Sequence, residues 1–241
     1  MKLFKNKKSS VSKDLIWKEA QLSENKSWRT RCSEGFWVFY EMGEHMDLPW
    51  RLKNTLEKIP HSFLDVGVGP MGVGLLWMHP KSPIKIGFDP LPKLKVSTGN
   101  PYADELVEKI CKDCWYIRGR AEELPFKSDW FELVVSHNVL DHVSEPIRVL
   151  SEICRVVQKG GYIGISVDTN SRLNGFLRKI DRALHPKLNT YVQHPHDIII
   201  GEIEDFLKSK GFEILSSNSA SFLGGLIGRR RMQSWVAKKN C

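Results

Sequence analysis

The chain has 241 residues, of which 41% are hydrophobic and 27% are charged, a balance typical of folded globular proteins that excludes a fibrous or wholly disordered chain. A formal net charge of +8 favours anionic partners, unless the cations are confined to a small part of the chain. The apolar runs are far shorter than the roughly 20 residues of a membrane span, no secretory signal is recognisable, and five cysteines form no disulfide framework, so we expect a reducing, cytoplasmic setting.

The N-terminal quarter of the chain divides into two predicted parts. Residues 1–13 hold five lysines and no acidic residue, which predicts a mobile basic arm. Residues 14–59 have a helical pattern that ends before Pro60, which predicts a helical extension or a lid. A dense aromatic patch within it favours a core role over a ligand site; its members are Phe36, Trp37, Phe39 and Tyr40.

From residue 60 onward, predicted strands alternate with predicted helices. The strands are expected at residues 62–66, 84–88, 115–118, 131–136, 162–167, 212–216 and about 232–237. The helices are expected at residues 72–79, 102–111, 147–157 and 198–210. The pattern predicts one α/β domain over residues 60–241, with a Rossmann-like doubly wound sheet of about seven strands. Its strands should be mostly parallel with an antiparallel C-terminal strand, and a cover insertion is expected at about residues 170–197.

A glycine-rich turn follows the first predicted strand. Gly67, Gly69 and Gly72 satisfy the spacing G-x-G-x-x-G, and Asp89 lies 20 residues beyond Gly69, where an acidic side chain meets ribose hydroxyls. The motif alone fits both nicotinamide dinucleotides and S-adenosylmethionine. Asp65 favours the latter, because its carboxylate can accept from the ammonium group of the methionine part, whereas a pyrophosphate gains nothing from a nearby negative charge.

The same segments resemble class I S-adenosylmethionine-dependent methyltransferases, particularly the group that includes ubiquinone and menaquinone methyltransferases. Residues 65–69 look like the first motif of that family, and residues 119–136, 150–161 and 196–213 are similar to its later segments. Arg120 stands where the family often has an Asp near adenine, so Ala121 and Glu122 are expected to make that contact. The resemblance implies S-adenosylmethionine as the cofactor, bound by Asp65, Gly67, Gly69, Asp89, Ala121, Glu122, His137 and Asn138.

Candidate catalytic residues follow the fourth predicted strand, because the carboxyl ends of parallel strands border the ligand crevice. A methyl transfer is an in-line displacement in which the protein mainly aligns the reactants, but a hydroxyl acceptor also needs a base such as histidine. We predict His142 and His137 as catalytic residues; the alternative for His142 is packing at a helix start. His194 and His196 are expected mainly in turn or capping roles.

Two further segments leave their roles open. The helix expected at residues 172–184 carries an apolar stripe and several cations, so it could be a lid for an anionic substrate, a helix on a membrane surface or, as we favour, a cover helix with solvated charges. Cys111-x-x-Cys114 has no second cysteine pair, so we expect no metal site.

The expected function is transfer of a methyl group to a small-molecule acceptor, such as a sugar or glycan-pathway compound or a quinone or lipid precursor, by O-methylation. A nicotinamide-dependent oxidoreductase is the main alternative, but no tyrosine has a lysine four residues later. A non-catalytic S-adenosylmethionine-binding protein and a nucleic-acid-associated protein are the others. Residues 136–139 are Ser-His-Asn-Val, unlike the Asn/Asp-Pro-Pro-Tyr/Phe segment of amino-group methylases of nucleic acids.

The positive charge lies at the two ends of the chain. Residues 1–13 and 229–239 together hold ten cations and no acidic residue, so the rest of the chain is close to neutral. We therefore do not expect nucleic acid as a partner, whereas the basic ends can make peripheral contact with an anionic surface. The pattern does not indicate an oligomeric state.

Overall fold

The computed structural model describes residues 10–33, 46–185, 194–218 and 231–241, with the backbone alone at residues 10–14, 16 and 231. Its helices are α1 (Ser10–Cys32), α2 (Asp47–Thr55), α3 (Pro101–Cys111), α4 (Pro146–Val156), α5 (Arg172–Leu184) and α6 (Glu202–Ser209). Its strands are β1 (Ser62–Val66), β2 (Ile84–Asp89), β3 (Cys114–Arg118), β4 (Phe131–His137), β5 (Val157–Asn170), β6 (Ile198–Ile199), β7 (Phe212–Ser217) and β8 (Arg231–Lys239).

The strands form one mixed sheet in the order β3-β2-β1-β4-β5-β8-β7, with the two-residue β6 paired to β5. Strands β1 to β6 pair in parallel, and β8 is antiparallel to both β5 and β7. The predicted fold class is therefore confirmed, including the antiparallel C-terminal closure. The strand order reverses between β1 and β4, and ligands bind at such a switch point, outside the carboxyl ends of the strands.

The central strands are buried because both faces of the sheet are covered. Every residue of β1 is buried, and the apolar side chains of the sheet feed two separate core clusters. Helix α4 covers one face with Val149, Leu150 and Ile153, while α2 covers the other with Leu48 and Leu52. A fully covered parallel sheet explains the continuous apolar runs from which these strands were predicted.

The helix predicted at residues 72–79 does not form, and a single 3₁₀ turn at Leu76–Met78 takes its place. Gly72 and Gly74 have φ angles of +74° and +40°, in the left-handed region that a right-handed helix excludes. The Leu75 N–H, which a helix would direct to a backbone carbonyl, donates instead to the Asp65 carboxylate at 2.6 Å. The tight turn therefore extends over residues that helical spacing alone assigns to a helix.

Further boundaries differ from the predicted ones, among them the start of β5, which is Val157 in place of residue 162. Helix α1 begins at Ser10, within the range predicted as a basic arm; residues 1–9 and the aromatic patch of Phe36, Trp37, Phe39 and Tyr40 lie outside the described residues. Strand β5 extends to Asn170 because β8 and β6 both pair with its distal half. Helix α6 begins only at Glu202, since residues 198–199 pair with β5 and Gly201 has a φ of +93°.

The insertion after β5 contains helix α5. A cover helix was expected to turn its apolar face to the protein and its charges to solvent, but α5 turns its apolar face to solvent. Its apolar side chains are exposed, whereas Arg178 and Arg182 point inward to the buried Asp197. Gly175 makes close packing possible, because a Cβ there would lie 2.4 Å from the Cδ1 of Ile199. Among the described residues, no helix is long and apolar enough to cross a membrane.

Candidate active site

The glycine turn lies at the carboxyl end of β1. Gly67 and Gly69 have φ angles of +81° and +74°, which a side chain would strain. A Cβ at Gly67 would also lie 2.1 Å from the Cγ2 of Val139, which follows β4. The Gly67 N–H donates to the carbonyl of Phe88 at 2.7 Å, so the turn is tied to the end of β2. Both the conformation and the space at this position require glycine.

Asp89 holds the turn from the end of β2. Its Oδ2 accepts from the Gly69 N–H and its Oδ1 from the Leu91 N–H, both at 2.9 Å. Burial raises the pKa of Asp89 to about 6, against the opposing effect of these two hydrogen bonds. Each carboxylate oxygen has a second lone pair, so Asp89 can accept from ribose hydroxyls without releasing the turn.

Asp65 lies below the same turn and is 1% exposed. Its Oδ2 accepts from the Leu75 N–H, and burial raises its pKa to about 7, with a further contribution from the charge of Asp89. A cation bound beside it would favour the ionised carboxylate and lower this pKa again. The group therefore suits a positively charged ligand, such as an ammonium or sulfonium, better than an anionic one.

All nine residues predicted for the site line one cavity of about 340 Å³. They are Asp65, Gly67, Gly69, Asp89, Ala121, Glu122, His137, Asn138 and His142. The cavity lies at the switch point of the sheet, and its volume is in the range of small-molecule sites. The turn that β1 leads into, the end of β2 and the segment after β4 thus meet at one place.

The Glu122 carboxylate faces the start of α4. Its Oε1 accepts from the Ser144 N–H at 2.9 Å, from the Ser144 hydroxyl at 2.6 Å and from the Glu145 N–H at 3.3 Å. These bonds hold the segment that leads into α4. The contact of Ala121 and Glu122 with adenine stays a prediction, and the neighbouring Arg120 guanidinium lies 4.5 Å from the ring centre of Trp17 in α1.

His137 and Asn138 end β4 beside β5. The Nδ1 of His137 is hydrogen-bonded to the Ser166 hydroxyl, and the Asn138 N–H donates to the Ser166 carbonyl at 2.8 Å. Asn138 has a φ of +53°, which turns the chain sharply away from the strand. Both residues are therefore held at the cavity wall by β5, and the catalytic role of His137 stays a prediction.

His142, the other predicted catalytic residue, belongs to a cluster of ionisable groups. His142 lies in the turn before α4, not at the helix start, and its ring is 4.3 Å from that of His194. His194 Nδ1 is 2.7 Å from Oδ2 of the buried Asp141. The two nitrogens of His142 lie 3.6 Å from Glu24 Oε1 and 3.7 Å from Asp141 Oδ1, beyond hydrogen-bonding distance.

This cluster can also be considered as a cation site. Ligand atoms of Asp141, His142 and His194 all lie within 4.8 Å of one another, a set that transition metals bind.

His196 was expected in a turn or capping role, and its N–H is 3.4 Å from the Asp141 carbonyl. Burial lowers the pKa of His196, which favours the neutral form of its ring.

Helix α1 forms a side of the cavity to which the sequence pattern assigned no site residue. The spacing of three and four residues puts five side chains on a single helix face: Trp17, Gln21, Glu24, Trp28 and Arg31. A Cβ at Gly69 would lie 3.1 Å from the ring of Trp28, so this ring covers the glycine turn. The spacing was visible in the sequence, but nothing local connects this helix face with residues some 40 positions later.

Part of the chain is similar to known methyltransferases. Residues 64–165 match the family model described as a methyltransferase domain. An uncharacterized methyltransferase of Schizosaccharomyces pombe is 33% identical over 104 residues, 42% of this chain and 37% of that protein. The phosphatidylethanolamine N-methyltransferase of Cereibacter sphaeroides is 39% identical over 74 residues, 31% of this chain and 36% of that protein. The chain thus spans little more than a third of the length of these curated relatives.

Solved structures share the fold at low identity. The YcgJ protein of Bacillus subtilis superposes with a TM-score of 0.58 at 16% identity, over 82% of this chain and 99% of that one. The cyclase SpnF superposes with a TM-score of 0.55 at 16% identity, over 80% of this chain and 79% of that one. The family match and its methyltransferase neighbours support S-adenosylmethionine as the cofactor. The match over residues 64–165, the shared fold and these neighbours therefore support a class I S-adenosylmethionine-dependent methyltransferase.

Proposed function

We propose that the protein transfers the methyl group of S-adenosylmethionine to a hydroxyl of a small-molecule acceptor. One observation carries this proposal: the cavity that is lined by the glycine turn and its two carboxylates, Asp65 and Asp89, is also lined by His142 and His194. These two histidines form a cluster with the buried Asp141. The first part suits the cofactor, and the second can take a proton from an acceptor. A cofactor site and a proton acceptor in one small cavity are what O-methylation needs.

The cofactor side of the cavity would be formed by the residues that hold the turn. Asp89 would accept from the ribose hydroxyls, Asp65 would face the positively charged methionine part, and Gly67 and Gly69 would allow close approach of the backbone. When bound, S-adenosylmethionine supplies the methyl group and its own leaving group, so the protein has only to align the acceptor and exclude water. The adenine contact of Ala121 and Glu122 completes this part of the proposal.

His194 is the proposed general base. Its Nδ1 bonds to the buried Asp141 carboxylate at 2.7 Å, which orients the ring and makes Nε2 the proton-accepting nitrogen of the neutral imidazole. His142, the base predicted from the sequence, lies 4.3 Å away between Asp141 and Glu24, without a hydrogen bond to either. We assign His142 to positioning the acceptor, and Asp141 to stabilising the imidazolium that forms on His194.

Helix α1 is the proposed lid of the site, one of the two roles, extension or lid, predicted for residues 14–59. Trp17 and Trp28 place two aromatic rings over the cavity, next to Arg120 and Gly69. Aromatic side chains in this place would exclude water from the methyl-transfer region. The cavity is lined by four carboxylates, those of Glu24, Asp65, Asp89 and Glu122, and by two arginines, Arg31 and Arg120. This balance favours a compact acceptor over nucleic acid.

Cofactor binding and methyl transfer are tested separately. Calorimetric titration should show binding of S-adenosylmethionine and S-adenosylhomocysteine but not of NADH, and Asp89→Asn should weaken binding at least tenfold. Glu213→Gln, an exposed carboxylate on β7, is the matched control and should bind normally. Binding of NADH in preference to S-adenosylmethionine would overturn the cofactor assignment and favour the oxidoreductase alternative.

The acceptor is identified by transfer of a labelled methyl group to a panel of sugars, quinols, lipid alcohols and amines. Label should enter a hydroxyl compound, and His194→Ala should lower kcat about 100-fold or more while leaving cofactor affinity unchanged. Full turnover by His194→Ala refutes the base, and transfer only to amines refutes O-methylation. Loss of turnover on chelation, restored by a divalent cation, would assign Asp141, His142 and His194 to a metal. Cofactor binding without transfer to any acceptor would favour a non-methylating protein.

A further inference from the structure

Helix α5 presents its apolar face to solvent. Five large apolar side chains occupy this face, with exposed fractions from 47% to 70%: Leu173, Phe176, Leu177, Ile180 and Leu184. Their spacing of three and four residues makes one continuous stripe along the whole helix. We call this stripe the outward face of α5. A contiguous apolar patch on a protein surface is a mark of an interaction site, whereas scattered apolar residues are not.

The inward side of α5 is polar and firmly held. Arg178 Nε and Arg182 Nη2 lie 2.7 and 2.8 Å from the two oxygens of Asp197, a carboxylate that is almost completely buried. The Asn174 amide donates to Asn170 Oδ1 at 2.7 Å. Because these contacts fix the rotation of the helix about its axis, the outward face is a built feature of the fold.

The charges on α5 indicate what it binds. Arg172 and Lys179 are exposed and lie seven residues apart, so two helical turns place them on the same flank of the outward face. The helix has one acidic residue, Asp181, which pairs with His185 at 3.0 Å. An apolar stripe flanked by cations is the pattern of helices that lie in the interface of a membrane with anionic lipids.

A second copy of the chain fits this face less well. A symmetric dimer would set the same patch against itself, and α5 offers its two exposed cations, Arg172 and Lys179, one acidic residue, Asp181, which already pairs with His185. A lipid surface instead offers both an apolar layer for the stripe and phosphates for the cations. We propose that the outward face of α5 docks on an anionic phospholipid surface.

Docking in this way would hold the cavity behind α5, on the inward side of the helix. The Arg182 guanidinium donates to the His194 carbonyl at 3.3 Å, and His194 lines the cavity. Helix α5 also follows β5 directly, at the same end of the sheet as the glycine turn. A membrane-bound α5 therefore separates the acceptor side of the site from the lipid by the width of this helix. Binding to the surface itself does not depend on methyl transfer.

The test measures binding of the full chain to vesicles by co-sedimentation. Vesicles of phosphatidylcholine are compared with vesicles that also contain phosphatidylglycerol, and the wild type should bind the second kind at least tenfold better. The triple variant Phe176→Ser/Leu177→Ser/Ile180→Ser should lose at least tenfold in affinity. The double variant Arg172→Gln/Lys179→Gln should lose roughly fivefold for each cation removed. The variant Tyr102→Ser/Trp115→Ser, which removes exposed aromatic side chains on α3 and β3, is the matched control and should bind normally.

Three results would overturn the proposal. The first is a wild type that does not bind anionic vesicles. The second is undiminished binding of the triple variant, which would assign the interaction to the basic ends of the chain. The third is concentration-dependent dimerisation of the wild type in sedimentation velocity that the triple variant abolishes, which would make a second copy the occupant. If the triple variant fails to fold by circular dichroism, Ile180→Glu replaces it and should lose binding to the same degree.

Discussion

Replacement of Asp65 by asparagine should stabilise the ligand-free protein at alkaline pH. The Asp65 carboxyl has a pKa of about 7 in place of 3.8 because it is buried. In the range between the two pKa values, only the folded protein holds the proton of Asp65. The contribution of this carboxyl to the free energy of unfolding is therefore fully present below about pH 4 and is lost as the pH rises through about 7. The difference corresponds to about 4 kcal/mol at pH 8, at about 1.4 kcal/mol for each pKa unit.

The Asp65→Asn variant would lack this ionisation, while the carbonyl oxygen of the introduced amide would still accept from the Leu75 N–H. Burying the amide group costs about 1–2 kcal/mol, so we expect a net gain of about 2–3 kcal/mol at pH 8 for this variant. At pH 4 the gain should vanish or become a small loss, because the Asp65 carboxyl is then neutral in the folded protein. Cofactor affinity should fall at least tenfold, since the charge that faces the methionine part is gone.

Urea unfolding followed by tryptophan fluorescence at pH 4 and pH 8 measures the effect. Asp89→Asn is the informative control, because Asp89 accepts from two backbone N–H groups with its two oxygens and an amide leaves one of them without an acceptor. The gain in the free energy of unfolding at pH 8 should be smaller for Asp89→Asn than for Asp65→Asn, or negative. If the wild type and Asp65→Asn show the same dependence of stability on pH, Asp65 does not carry the buried ionisation.

Three further substitutions test the supports of the site. Gly67→Ala should destabilise the fold by about 1–3 kcal/mol in thermal unfolding. Adding Val139→Ala to this variant should restore only the stability lost to the steric clash, because the left-handed φ of residue 67 remains. Full restoration would mean that this φ is unimportant. Glu122→Ala should lower stability by about 1–3 kcal/mol, because the Ser144 and Glu145 N–H groups at the start of α4 lose their acceptor; an unchanged melting temperature contradicts this. Asp197→Asn should lower the free energy of unfolding by about 3 kcal/mol, because Asp197 would no longer neutralise Arg178 and Arg182 of α5. Protease cleavage within α5 should also be faster than in the wild type, and equal cleavage rates would contradict this.

The chemistry of the glycine turn was predictable because it is local. Asp65, Gly67 and Gly69 lie within five residues, and the strand that carries Asp89 follows at a fixed spacing. The same local reasoning failed at residues 72–79, where apolar spacing predicted a helix. The backbone there takes its conformation from glycine and from a hydrogen bond to Asp65.

The rest of the site depends on contacts between residues that are far apart in the sequence. His194 and Asp141 are separated by 53 residues, and the ring of Trp28 reaches a turn that lies 41 residues later. No spacing rule connects such positions. The orientation of α5 had the same difficulty, because it is determined by the buried Asp197, whereas its amphipathic pattern alone favoured the opposite face.

The position of β8 has a consequence for the growing chain. This strand lies between β5 and β7, although both precede it in the sequence. Until residues 231–239 have been synthesised, β7 has no strand beside it, and one edge of the otherwise complete parallel sheet stays open. Open strand edges are templates for wrong pairing. During translation, the interval between the synthesis of β7 and that of β8 is therefore one in which the edge of β5 is open to wrong pairing.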